Sequence, residues 1–164
     1  MAVRFAPRQE QVHLDALEGT GAIVLHDQSV PGSAARAERV VVAPSGIWVI
    51  TTKHFDGQVQ KRDVGTFFSM DWRLYVGRRD VTRLLGAASR TARALRSAIC
   101  DDDCAVPVLP VLCLPEAEWS WFAKPFQMCG VVVASPNAVL KLVAQPGAFG
   151  PDDLDRLADE LRAA

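Results

Sequence analysis

Glu38, Thr51 and Lys53 are the residues of this chain whose types and spacing could do chemistry together. The runs 38–43 (ERVVVA) and 47–52 (IWVITT) are β-branched and apolar, and Pro44-Ser45-Gly46 between them has turn composition. That pattern reads as a hairpin. If Val42 pairs with Ile47, then Val40 faces Val49 and Glu38 faces Thr51. Strand side chains alternate faces with period two, so Glu38, Val40, Val49, Thr51 and Lys53 share one face. A carboxylate, a hydroxyl and an ammonium then meet at the open end of an apolar hairpin. Burying an unpaired charge is costly, so such a cluster marks either a site or a sheet margin. On the residues alone, a cross-strand charge pair between Glu38 and Lys53 is the simpler reading.

The surroundings favour the site. The stretch VLHDQSVPGSAARAERVVVAPSGIWVITTKHFDGQV, from Val24 to Val59, resembles the NERD (nuclease-related) domain, a branch of the PD-(D/E)XK nuclease superfamily. The matching positions are Leu25, His26, Asp27, Pro31, Gly32, Glu38, the valines 40–42, Pro44, Ser45, Gly46, Val49, Ile50, Thr51, Lys53 and Gly57. The strongest part spans residues 20–60 of one domain covering 1–164.

The resemblance implies a restriction-endonuclease-like core of order α-β-β-β-α-β. It also implies Mg²⁺-dependent hydrolysis of DNA phosphodiesters. In such sites, acids on adjacent strands and a backbone carbonyl hold the metal, which activates water and offsets phosphate charge. Carried over, Glu38 is the first acid and Thr52 offers the carbonyl. Lys53 positions the attacking water, and Glu10 is a supporting acid from the first helix. Glu38 stands where the family usually has aspartate. Thr51 stands where it has an acid, and a neutral hydroxyl is a weaker Mg²⁺ ligand than a carboxylate. A degraded site with weak or lost activity is therefore expected, with Asp27 or Asp56 as candidate replacement acids. The alternative is a non-catalytic domain on the same fold that binds nucleic acid or a protein.

The elements expected to position these residues are a helix over 7–18, ended by Gly19 and Gly21, and strands at 22–27, 38–43, 47–52, 57–62 and 72–76. A helix over 80–99 follows, with Leu84, Leu85, Ala88, Ala92, Leu95 and Ile99 at helical spacing and Asp80 as its N-cap. Residues 106–114 read as an irregular or edge strand because of Pro107 and Pro110. A buried strand at 130–134, a helix opened by Ser135-Pro136 and a final helix opened by Gly150-Pro151 complete the order. The class is α/β, a central mixed sheet covered by helices on both faces.

The net charge of −1 excludes a global basic field, so any nucleic-acid surface must be local. Arg83, Arg90, Arg93 and Arg96 form the polar face of the long helix. This is a solvated face or, at Arg90 and Arg93, a phosphate contact. Trp119, Trp121, Phe122 and Phe126 are expected to pack onto the core. No apolar run approaches the ~18 residues of a membrane span, and residues 1–8 hold no signal-like apolar core. A cytoplasmic address is expected, with reduced thiols at Cys100, Cys104, Cys113 and Cys129. Cys113 and Cys129 are expected to be buried in strands, and no zinc spacing is present. His13, His26 and His54 share no ligand-like spacing.

Overall fold

The computed structural model describes residues 14–100, 105–120 and 124–164. Most of the predicted first helix, with Glu10 and His13, lies outside the described residues. Its end is described: Leu14 and Asp15 run into a 3-10 turn, Ala16–Thr20, which stops at Gly21 with φ 79°. Positive φ costs a residue without a Cβ almost nothing, so glycine ends the turn there.

Six strands form the main sheet: β1 (Ile23–Ser29), β2 (Arg36–Ala43), β3 (Gly46–Thr52), β7 (Val108–Cys113), β10 (Val131–Ala134) and β9 (Phe126–Met128), in the spatial order 1-2-3-7-10-9. The β1–β2, β2–β3 and β10–β9 pairs are antiparallel; β3–β7 and β7–β10 are parallel. Three helices flank it: α1 (Thr82–Ile99), α2 (Pro136–Val143) and α3 (Pro151–Ala163).

Both faces of the central hairpin are covered, as its apolar runs require. Val40, Val42, Ile47 and Val49 pack with Ala92 and Leu95 of α1 and with Leu154, Leu157 and Leu161 of α3. Val41, Trp48 and Ile50 pack on the other side with Leu14, Leu17, and Val139 and Val143 of α2. Each fully buried Leu or Val there contributes roughly 1.5–3 kcal/mol relative to exposure.

β7 is a central strand, not an edge strand. Its even-numbered residues point their amides toward β10, as Leu114 shows by donating to Ala134 O at 3.0 Å. The β10 pairing begins only at Val111–Val132. The missing N–H of Pro110 therefore falls just short of that ladder and breaks no bond in it.

A second, four-stranded sheet is a feature the sequence pattern did not reveal. It consists of β6 (Arg79–Asp80), β5 (Trp72–Val76), β4 (Gly57–Asp63) and β8 (Ala117–Glu118), in the order 6-5-4-8. Leu74 and Val76 pack with Leu85 and Ala88 of α1, and with Leu112, Val131 and Val133 of the main sheet. Trp119 and Phe126 join this cluster as expected, whereas Trp121 and Phe122 lie outside the described residues.

Asp80 belongs to β6, and the helix begins two residues later with Val81 as N-cap. Asp80 still serves the helix end, accepting from the Thr82 amide at 2.9 Å and its hydroxyl at 2.6 Å.

The β2–β3 turn is anchored by side chains. Ser45 Oγ donates to Val143 O and accepts from Trp48 Nε1, both at 3.0 Å. Ser45→Ala leaves a buried indole N–H and a helix-end carbonyl without this partner. The expected loss is about 1–3 kcal/mol, measured as a lower urea midpoint at unchanged slope.

Candidate active site

The hairpin register is the one read from the sequence: Val42 pairs with Ile47 and Val40 with Val49. Regular pairing ends at Arg39–Ile50, one step before Glu38 and Thr51 would meet. Along β3, Lys53 N donates to Cys113 O of β7 at 3.0 Å. The Thr52 N–H therefore points the other way, toward β2, where the ladder has stopped. Glu38 closes the gap, its Oε2 accepting that N–H at 3.0 Å. An exposed carboxylate thus stands in for a missing backbone carbonyl, in a charge-assisted bond.

Around it, Thr51 and Lys53 are half-buried and Thr52 is buried. Among the described residues neither Glu38 nor Lys53 has an ion-pair partner, so the simple cross-strand charge pair is not formed. Thr52 Oγ1 and Arg39 Nε are buried without hydrogen-bond partners. Arg39 reaches Asp15 through Nη2 at 3.6 Å.

The two candidate replacement acids are placed differently. On β1, His26 pairs with Arg39 and Gln28 with Ala37, which sets Asp27 opposite Glu38. Asp27, Glu38 and Thr51 therefore lie in one row across three strands. Asp27 has φ 49°, a left-handed conformation that Asp tolerates better than most residues. Arg36 holds its carboxylate at 2.6 Å and also donates to its carbonyl. Asp56 instead lines a cavity of about 320 Å³ after β3, with His54, Phe55, Arg78 and Arg79.

His54, read as ordinary, has a partner. Its Nδ1 lies 3.0 Å from Glu116 Oε1. The parallel pairing of Thr52 with Cys113 brings the carboxyl ends of β3 and β7 side by side, so His54 and Glu116 meet just beyond them. Only the β3–β7 pairing could have signalled this.

Arg90 lies where two cavities adjoin. One, of about 610 Å³, is lined by Phe55, Arg73, Arg79, Asp80 and Arg83 as well. The other, of about 400 Å³, lies under the β1–β2 loop at Gly32 and Ser33. Arg93 is exposed and lines neither. In the larger cavity, the Thr82 hydroxyl and then its amide hold the Asp80 carboxyl below the ordinary carboxylate range. Hydrogen bonding to Asp71 raises Arg73. The thiol expectation needs correcting. Cys100 is disulfide-bonded, while Cys113 and Cys129 take part in no disulfide. Cys113 is buried in β7, but Cys129 is exposed in the β9–β10 turn with φ 53°.

The layout is that of a restriction-endonuclease-like fold, with a mixed sheet between helices and a polar cluster where its central hairpin ends. Residues 7–115, more than half of the chain, match the NERD (nuclease-related domain) family model. The chain belongs to that family, within the PD-(D/E)XK-like nucleases. Comparisons with curated proteins and with solved structures give no match.

The family's divalent metal fits these residues poorly. Thr51 is neutral, one Glu38 oxygen is taken by an amide, and no three His, Cys, Asp or Glu side chains converge among the described residues. A hard cation wants several oxygen ligands with carboxylates among them.

Two outcomes test this geometry. Thr52→Val, which removes an unpartnered hydroxyl, should be neutral or stabilising by about 1 kcal/mol. A clear drop in melting temperature would show that the hydroxyl has a partner. Because the Asp80 pKa is depressed, its contribution is present above the ordinary carboxylate range and lost as pH falls through the depressed value. Asp80→Asn should therefore destabilise at pH near 7 and converge on the parent at strongly acidic pH, read by urea melts at both.

Proposed function

We propose that this domain acts on DNA through a degraded nuclease centre at the end of the β2–β3 hairpin. Glu38 is the remaining strand acid, Thr51 the lost one, Lys53 the residue positioned to orient a water, and Glu10 a supporting acid. The observation that carries the reading is the Glu38 carboxylate on the Thr52 amide, beside Thr51 and two strand positions from Lys53's face mate Val49. That arrangement keeps the backbone frame of a metal-dependent site while its charge is reduced.

Of the two replacement acids, Asp27 is the one that stands opposite Glu38 in register. Its pairing with Arg36 leaves it poorly disposed to serve a cation. Weak or absent Mg²⁺-dependent cleavage follows, with DNA held through Arg90 and, less directly, Arg93. Binding without cleavage is the second reading. It is favoured by the arginine-lined cavity at Arg90.

The test is a Mg²⁺- or Mn²⁺-dependent DNA cleavage assay on the natural protein, Thr51→Asp and Thr51→Asp/Lys53→Ala. Thr51→Asp should raise cleavage by an order of magnitude or more, since a single catalytic interaction is worth several kcal/mol. The added Lys53→Ala should abolish the gain. No cleavage by either the natural chain or Thr51→Asp would remove the nuclease ancestry of this site from consideration as chemistry, leaving binding alone.

A further inference from the structure

The β4–β5 ribbon ends in an apolar tip that the proposed site does not use. Phe67 and Phe68 are 97% and 93% exposed, and Met70 beside them 77%. Exposed rings of this size forgo a burial that a partner would supply.

The exposure is built into an ordered turn. Ser69 N donates to Thr66 O at 3.2 Å, and the Thr66 and Ser69 hydroxyls lie 3.1 Å apart. Asp63 Oδ1 accepts from the Gly65 and Asp71 amides at 2.9 and 2.8 Å. A Cβ on Gly65 would stand 1.9 Å from Ser69 O, so the tip requires glycine there. The two phenylalanine rings meet edge to face at 5.3 Å. Little ordering entropy remains to be lost on binding.

The ribbon behind the tip is cationic on one face. Arg62 lies directly across from Arg73, and like charges in that position repel. Arg73 is offset by Asp71 at 2.8 Å and Asp80 at 3.5 Å. Arg62 has no carboxylate partner among the described residues; its guanidinium lies over Tyr75 at 4.6 Å and donates to Gln60. From Arg73 the charge continues through Arg79 and Arg83 to Arg90 along the larger cavity. An anionic polymer laid along this band would relieve that repulsion.

The length of the ribbon fits a duplex groove. Arg62 is four residues from Thr66, where the ribbon turns, about 13 Å at ~3.3 Å per extended residue. A tip reaching the floor of a groove roughly 8 Å deep leaves the arginines at and behind the phosphate rim.

We infer that the Phe67–Phe68 turn is a base-stacking wedge that inserts into duplex DNA, while Arg62 and the arginines continuing to Arg90 follow the phosphates. Phenylalanine and methionine are among the residues that wedge open base steps. The inference rests on the DNA-directed reading above, and it assigns the contact to an element outside the hairpin site.

The test uses the full chain and a duplex oligonucleotide carrying 2-aminopurine, with affinity followed by anisotropy. Binding should change the 2-aminopurine fluorescence, and Phe67→Ala/Phe68→Ala should weaken affinity at least tenfold. Its circular dichroism should match the parent, because the rings are exposed. Arg62→Ala should weaken binding and flatten its salt dependence by about one phosphate contact. Unchanged affinity in the double variant, or unchanged 2-aminopurine fluorescence on binding, overturns the wedge while leaving DNA binding intact. If the parent binds no duplex, both readings fall. Should the double variant keep DNA affinity but lose binding to phosphatidylcholine–phosphatidylserine vesicles, or lose self-association, the tip serves that partner instead.

Discussion

A hairpin covered on both faces must account for every backbone amide, and this fold depends on how the β2–β3 ladder meets that demand where it ends. Inside the sheet, the ladder and its neighbours satisfy the strands. At Ile50 the pairing with β2 stops, yet β3 runs on beside β7. One amide, that of Thr52, is left facing a strand that has diverged, and the Glu38 carboxylate takes it. An acid at the end of the ladder thus does the work of a strand carbonyl. The opening between diverging strands is also the place where a ligand could reach the sheet.

The family's site asks more of this opening than the chain provides. Two strand acids would repel each other and draw a cation to offset them. On the proposed reading Thr51 takes the second position, so that repulsion is absent and the Glu38 carboxylate rests on the Thr52 amide. Asp27 restores a carboxylate to the same cross-strand row, but Arg36 already neutralises it. The proposed site thus keeps a strand acid and a lysine, while the carboxylates that would draw a divalent cation are few among the described residues.

The second sheet shifts attention from the hairpin to the surface beside it. It packs on the first half of α1 through Leu74 and Val76. This brings Arg73 and Arg79 of the second sheet alongside Arg83 and Arg90 of the helix. A chain of net charge −1 thereby presents a local cationic band. Asp71 and Asp80 hold part of it in place, and Phe55 lies beneath the Arg79 guanidinium at 5.2 Å.

The sequence by itself determined the hairpin and its register. The short turn at Pro44-Ser45, closed by the pairing of Ala43 with Gly46, sets how the two apolar runs pair. It determined α1 through the 3.6-residue recurrence of Leu85, Ala88, Ala92 and Leu95, and α2 through Ser135-Pro136. Contacts between distant segments decided the rest. Pro110 read as an edge signal because its missing amide matters only relative to where β10 starts. Strands β6, β8 and β9 are two or three residues long, too short for a periodic pattern, and exist because neighbours pair with them. The meeting of His54 with Glu116, and the place of Asp27 opposite Glu38, follow from strand order and register. Periodicity along one segment carries information about that segment's own faces; which face meets which is set by long-range packing.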